Sequence, residues 1–282
     1  MFHVTNVIKV SLFQIVKPIQ EIGFLSLQSQ IIIEMINQIL SHRTIRKYKN
    51  SLIDEDTIQK ILMAGCRAST TGNMQLYSII ITKDESSKKA LSSCHFNQPM
   101  VVNAPLVLTF CADFNRFNKW CKLSNAEPGY DNFLSFVTAA IDALLVAQNV
   151  TIAAESEGLG VCYLGTTTYL AVKIIDVLKL PKGVVPVTTL TIGWPDENPV
   201  QIDRLPLDAI VHQETYHDYL DEEITKIYHD KEMRRDSMQF VAENNKESLA
   251  QVFTDVRYKK DDNVAFSNML LEVLKNQGFM NQ

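Results

Sequence analysis

The spacing of apolar and polar positions along this chain switches several times between a helical period and a strand period, and each switch predicts an element. Over residues 54–67 the side chains of Ile58, Ile61 and Leu62 share a face with Gly65, which predicts a helix. Asp54 is placed to cap it, and Glu55 and Asp56 sit in its first turn, where the helix dipole favours negative charge. A β-branched strand is expected at 78–82, then a short helix near 86–93. Residues 106–111 form a continuous apolar run, as expected of a strand buried on both faces. The aromatic, mixed-charge stretch 114–130 breaks the pattern and is expected to be an irregular excursion packed over another surface.

The longest periodic segment, 133–157, is apolar nearly all round, through Phe136, Val137, Ile141, Leu144, Leu145, Val150, Ile152 and Ala153. Asp142, Gln148 and Asn149 would be costly at bilayer depth, so the segment reads as a core helix or the backbone of a dimer interface. Gly158 and Gly160 end it, and 160–164 reads as a short strand breaking into a small-residue turn through Thr168. A helix at 170–180 stopped by Pro181, a buried strand at 184–193, and helices at 218–231 and 263–277 complete the pattern, with Gly278 after the last helix. Residues 1–34 are apolar and β-branched, without a cleavage signal or a charge-free run long enough to span a bilayer. They are expected to be an extension outside the fold, with a domain over 35–282 that includes a C-terminal helical segment, 214–282; an extra helix or a membrane-proximal segment is the alternative.

Composition narrows the function. A net charge of −5 argues against a nucleic-acid partner. The five cysteines (Cys66, Cys94, Cys111, Cys121, Cys162) include no CxxC pair, which fits reduced thiols in a cytoplasmic protein rather than a disulfide framework or a zinc site. The histidines lack metal-ligand spacing, so no metal is expected, and His95 and His212 read as satisfied structural residues. The chain contains no GxSxG elbow, HExxH, Walker A or GxGxxG.

What remains is a set of polar and cationic residues at the ends of elements. Ser41-His42-Arg43-Thr44-Ile45-Arg46-Lys47-Tyr48 concentrates cations and hydroxyls where the first amphipathic region begins. Arg43 and Arg46, three apart, are expected on one side of a helical turn, where two guanidinium forks converge on a dianion; a solvated basic helix start would use the same residues. Residues 68–75, small and rich in hydroxyls around Gly72, suit either a ligand loop or a plain one. The set as a whole suits an anionic cofactor that carries the chemistry while the protein places it: a phosphate on Arg43, Arg46 and Arg204, and a polar heterocycle near Gln98 and the backbone at Gly165.

The order of these motifs resembles the FMN-dependent nitroreductase family, closest to its branch of oxygen-insensitive NADPH nitroreductases and NADPH-flavin oxidoreductases. The resemblance lies in Ser41-His42-Arg43-Thr44-Ile45-Arg46, the loop 68–75, Phe110-Cys111-Ala112-Asp113-Phe114-Asn115-Arg116, Ala153-Ala154-Glu155-Ser156 with Gly158-Leu159-Gly160, Tyr163-Leu164-Gly165, Gly193-Trp194-Pro195 and Arg204-Leu205-Pro206. It implies an α+β nitroreductase-like fold, a central, mostly antiparallel sheet flanked by helices in an intertwined homodimer. It implies that His42, Arg43, Thr44 and Arg46 bind the FMN phosphate and ribityl chain, that Arg204 completes the phosphate site and that Gln98 contacts the ring. Tyr163, Leu164, Gly165 and Thr166 would lie along the isoalloxazine, while Ser69, Thr70 and Thr71 would reach the FMN of the other subunit. Lys231, Arg234 and Arg235 would face the NADPH 2′-phosphate, or form a solvated cluster.

The implied activity is ping-pong transfer of two electrons from NADPH, through FMN, to nitroaromatics, quinones or free flavin, with no catalytic side chain of the protein's own. Two departures stand out. Where the branch often carries a lysine two residues before the last arginine, this chain has Ile202 and then Asp203, and the tyrosine is followed by Gly165-Thr166 in place of a glycine pair. These departures motivate the alternative of a non-catalytic flavin-binding or sensor protein.

Overall fold

The computed structural model describes residues 36–282. The expected extension, 1–34, lies outside the described residues. Contacts divide the chain into Met1–His42 and Arg43–Gln282. The described part of the first unit holds a short helical stretch, 36–40.

The second unit is built around four strands. Helix α1 (Glu55–Gly65) begins at Asp54, whose carboxylate accepts from the Thr57 N–H at 2.8 Å. After a 3₁₀ turn at Thr71–Asn73 come β1 (Tyr77–Thr82), α2 (Glu85–Cys94), α3 (Pro99–Asn103), β2 (Leu106–Asp113), α4 (Asn115–Leu123), α5 (Phe133–Ser156), β3 (Gly160–Leu164), α6 (Ala171–Leu178) and β4 (Val184–Gly193). The C-terminal part is helical: α7 (Asp221–Glu232), α8 (Arg235–Glu243), α9 (Leu249–Val252) running into a π turn, and α10 (Lys260–Gln277), closed by Gly278 at φ 86°. Strand order is β1-β2-β4-β3, with every neighbouring pair antiparallel.

Every residue of β2 is buried, as its unbroken apolar run requires. Its even positions, Leu106, Leu108 and Phe110, join Leu190, Ile192 and Val161 beneath α1 and α5. From the opposite sheet face, Val107, Cys162 and Leu164 pack against Leu91 of α2, Val101 of α3 and Ile174 of α6. The period of two along each strand therefore produces helix layers on both faces. Pro186 sits in β4 at a bulge, where the register steps from Phe110–Thr188 to Cys111–Pro186. It is tolerated because β3 pairs with β4 only as far as Thr189, leaving this end of β4 without a paired strand on that side among the described residues.

Helix α5 is long and apolar enough to cross a membrane by length and composition. Its small residues Ala139, Ala143 and Ala147 are buried, whereas Leu134, Ile141, Leu144 and Leu145 stay exposed. One expectation fails: the stretch 114–130 is not irregular throughout, because α4 occupies its first half. Asp113 Oδ1 accepts from the Arg116 N–H at 3.2 Å to start the helix, and Phe117, Trp120 and Cys121 form an i, i+3, i+4 stripe. Phe114 then stacks on Tyr130 with ring centroids 5.0 Å apart, which closes the segment onto the protein's own core. The last helix also starts a turn early, at Lys260, with Asp261 and Asp262 favouring its positive end.

Helices α1 and α5 meet at Gly65, where an added Cβ would lie 2.2 Å from Val150 Cγ2. Gly65→Ala is expected to destabilise the protein by about 1–3 kcal/mol, the usual cost of overpacking a core. Val150→Ala in the same chain should recover part of that loss, both read by urea denaturation.

Candidate functional site

Residues 43–48 do not form the helical turn that the arginine spacing suggested. Thr44 and Tyr48 make isolated β-bridges, to Val161 and Pro195, and the Ile45 N–H donates to the Val161 carbonyl at 3.0 Å. The reason is side-chain size at the neighbours. An added Cβ at Gly160 would lie 2.6 Å from Ile45, and one at Gly193 would lie 2.6 Å from Pro105 and 2.8 Å from Tyr48. With glycine in both places the segment lies flat against β3 and the end of β4.

Tyr48 pins it there. Its hydroxyl donates toward the Ile45 and Thr191 carbonyls at 2.7 and 3.0 Å and lies 2.8 Å from Thr191 Oγ1, and burial pushes its pKa well above the ordinary value. On the outer side Glu197 Oε1 accepts from the Arg46 and Lys47 N–H groups at 2.5 and 3.0 Å, and Arg43 donates to Asn198 Oδ1. The Glu197 carboxyl is held below its usual range, first by the Arg46 N–H. Both arginine side chains remain exposed. The Arg46 guanidinium lies close enough to Cys162 on β3 to oppose the rise in thiol pKa that burial causes.

The far end of β3 carries the next group. Tyr163 turns toward α5, its hydroxyl 3.3 Å from Thr151 Oγ1 and 3.2 Å from Gln148 Oε1. Gly165 is exposed, and an added Cβ there would meet nothing within 4 Å. Thr166 follows; His95 Nδ1 lies 2.9 Å from its Oγ1, and Gln98 Nε2 donates to the same oxygen at 3.4 Å. His95 is fully buried, and its Nε2 has no hydrogen-bond partner among the described residues. The expectation of a satisfied structural histidine thus holds for one ring nitrogen only. His212 is bonded on both nitrogens, to the His217 N–H and the Tyr219 hydroxyl, each at 3.2 Å.

The loop 68–75 is held separately, by residues that its own sequence did not point to. Asp142, buried in α5, accepts from the Thr71 N–H and hydroxyl at 2.9 and 3.1 Å and from the Leu76 N–H at 3.2 Å. Arg116 reaches over from α4 to the carbonyls of Gln75 and Tyr77. Gly72, Asn73 and Gln75 all adopt positive φ in this short span. The sequence signal for Asp142 was a carboxylate inside an otherwise apolar helix, a position that demands partners.

A third group lies at the C-terminal helices. Asp203 accepts Lys231 at 3.0 Å and faces Arg234 at 3.6 Å, while Arg234 also pairs with Asp236 at 3.0 Å. The Arg204 guanidinium folds back on the Ile202 and Asp203 carbonyls, and Arg235 is exposed on the first turn of α8. Within one chain, no hydrogen bond or ion pair among the described residues joins Ser69, Thr70, Thr71, Arg204, Lys231, Arg234 or Arg235 to the β3 group. The structure brings Arg43, Thr44 and Arg46 together with β3, and Gln98 with Thr166. His42 belongs to the other unit.

Two outcomes follow from these bonds. Asp142→Ala removes the acceptor for two backbone N–H groups and is expected to cost about 2–3 kcal/mol, with faster amide exchange at Thr71 and Leu76. His95 provides a pH test: burial pushes its pKa down from 6.5 to about 4. Between those values the unfolded chain binds the proton and the folded chain does not, so stability falls as pH drops from 6.5 toward 4, by about 3 kcal/mol in all. Denaturation at stepped pH should show that slope in the wild type and lose it in His95→Asn.

The family model for the nitroreductase family matches residues 39–194, more than half of the chain. The FMN reductase (NADPH) of Bacillus subtilis is 37% identical over 183 residues, 64% of this chain and 74% of that protein. Among solved structures, one from Bacteroides fragilis is 54% identical with a TM-score of 0.86, covering 87% of this chain and all of that one. The NfrA1 nitroreductase of B. subtilis is 30% identical with a TM-score of 0.78, covering 88% of this chain and 100% of that one. With an antiparallel sheet between helix layers and an arginine-bearing segment against β3, matched by sequence over most of its length, this chain belongs to the nitroreductase family.

Proposed function

We propose that the protein is an FMN-dependent oxidoreductase that draws hydride from NADPH and passes two electrons to a small acceptor (a nitroaromatic, a quinone or free flavin) in a ping-pong cycle. The observation that carries this reading is the meeting of two donor sets on one strand: the Arg43–Arg46 segment against β3, and Thr166 with Gln98 at its open end. Exposed guanidinium groups suit a phosphate dianion. A glycine with empty space where its Cβ would be suits the flat approach of a ring.

In this reading Arg43, Thr44, Arg46 and Arg204 hold the FMN phosphate and ribityl chain. Gln98, Tyr163, Leu164, Gly165 and Thr166 border the ring. Bound FMN would supply two-electron hydride chemistry that no side chain here provides. The protein's part is to fix orientation and to aim donors where negative charge grows. The name of the B. subtilis relative, an NADPH-dependent FMN reductase, supports NADPH as donor. Lys231 and Arg234 already share Asp203, so a 2′-phosphate would compete with that carboxylate, and Arg235 makes no ion pair among the described residues. The same pairing offsets the Asp203 charge with Lys231 and Arg234, which supports a phosphate site that Asp203 does not oppose.

The active form in this proposal is a homodimer. The exposed Leu134, Ile141, Leu144 and Leu145 on α5 offer an apolar face to a second copy. The loop carrying Ser69, Thr70 and Thr71, unconnected to β3 within one chain, is then available to the FMN of the partner subunit.

The purified protein is expected to bind FMN, to lose flavin absorbance when NADPH is added under nitrogen, and to regain it with a quinone or nitroaromatic. Arg43→Ala and Arg46→Ala should each weaken FMN binding about tenfold to a hundredfold, the worth of a hydrogen bond to a charged group. Flavin that binds but does not bleach with NADPH would overturn the oxidoreductase reading.

A further inference from the structure

The cluster of His95, Gln98 and Thr166 is more specific than a ring contact requires. His95 caps the end of α2, and the two residues after it, Phe96 and Asn97, both adopt left-handed φ values of 53° and 56°. The resulting turn is closed by the Asn97 N–H on the Ser92 carbonyl at 2.8 Å and the Gln98 N–H on the His95 carbonyl at 3.1 Å. It fixes His95 and Gln98 relative to one another, and both side chains end on a single atom, Thr166 Oγ1.

The proton count on that oxygen is constrained. A neutral imidazole carries one N–H. If the proton were on Nε2, which is buried and has no partner among the described residues, an N–H donor would be orphaned in the core. With the proton on Nδ1, only a lone pair goes unmatched, and orphaned buried N–H groups are the rarer of the two. The imidazole therefore donates through Nδ1, and the Gln98 amide donates to the same oxygen. Both acceptor positions of the hydroxyl are then filled, and its own hydrogen finds no acceptor among the described residues. Thr166 is half-buried and follows Gly165, the open position at the end of β3.

We propose that His95 is a positioning residue which, together with Gln98, commits the Thr166 hydroxyl to donating a hydrogen bond to the flavin ring bound at the end of β3. This rests on the FMN reading above. A donor fixed against an edge that gains negative charge on reduction stabilises the reduced cofactor more than the oxidised one. The cluster thereby raises the flavin's reduction potential and sets which acceptors can be reduced. Burial, which keeps the imidazole neutral down to about pH 4, holds the arrangement constant across the physiological range.

The test combines a measurement on the full-length protein alone with one on its FMN complex. NMR of protein carrying ¹⁵N-histidine should place the His95 proton on Nδ1; a proton on Nε2 overturns the inference. In the FMN-loaded protein, near-isosteric Thr166→Val should lower the ratio of reduced to oxidised FMN affinity about tenfold, equivalent to about 30 mV for a two-electron couple. Thr166→Ser should keep the wild-type potential, as should His95→Asn, whose amide can donate from the same side. If the valine variant binds FMN with an unchanged potential, the inference fails while the FMN reading stands. If the wild type binds no FMN at all, both fail. Because Thr166 is only half-buried, its variants remain informative even if changes at His95 impair folding.

Discussion

The contact on which the site depends is a close approach of backbones. Residues 43–48 can lie along β3 and the end of β4 only because Gly160 and Gly193 present no side chain there. The Tyr48 hydroxyl then ties the segment to the sheet through Thr191 and to itself through Ile45. Nothing in this arrangement is helical. It sets two arginines on an extended segment beside a strand whose other end opens at Gly165. A buried phenol with its bonds made is rigid, because an unmatched polar group at that depth would cost more than the distortion needed to satisfy it.

The polar residues around this frame fall into anchors and presented groups. Asp142, Arg116 and Glu197 are anchors: each gathers backbone groups of a segment without a regular element of its own. Asp203 ties the segment before Arg204 to the C-terminal helices through the side chains of Lys231 and Arg234. Arg43, Arg46 and Arg235 are presented, with their guanidinium groups exposed. A site for an anionic cofactor needs both classes. Loops that carry donors must be held before the ligand arrives, or binding would have to meet the entropy of ordering them.

Tertiary environment also changed the meaning of single residues. Asp203 read only as a departure from the family pattern, and in the fold two cations engage it. His95 read as an ordinary core histidine, and one of its nitrogens is left without a partner. The stretch 114–130 read as irregular because it is aromatic and mixed in charge, yet Phe117, Trp120 and Cys121 follow a helical period from the Asp113 start.

Local pattern by itself determined the elements whose signal is dense: the cap and face of α1, the extent of α5, the double-sided burial of β2, the strand at β4 and the glycine stop after α10. These depend on neighbours within a few residues, where period and propensity act directly. The order of the short motifs likewise carried the family. Only the tertiary structure decided that Arg43 and Arg46 lie on an extended segment, that Asp142 holds the loop at Thr71, and that His95 and Gln98 meet on Thr166. Each of those contacts, apart from the arginines' own spacing, joins residues about seventy or more positions apart. Such pairings are fixed by which backbones can approach and which buried groups need partners, and neither is visible in a window of sequence.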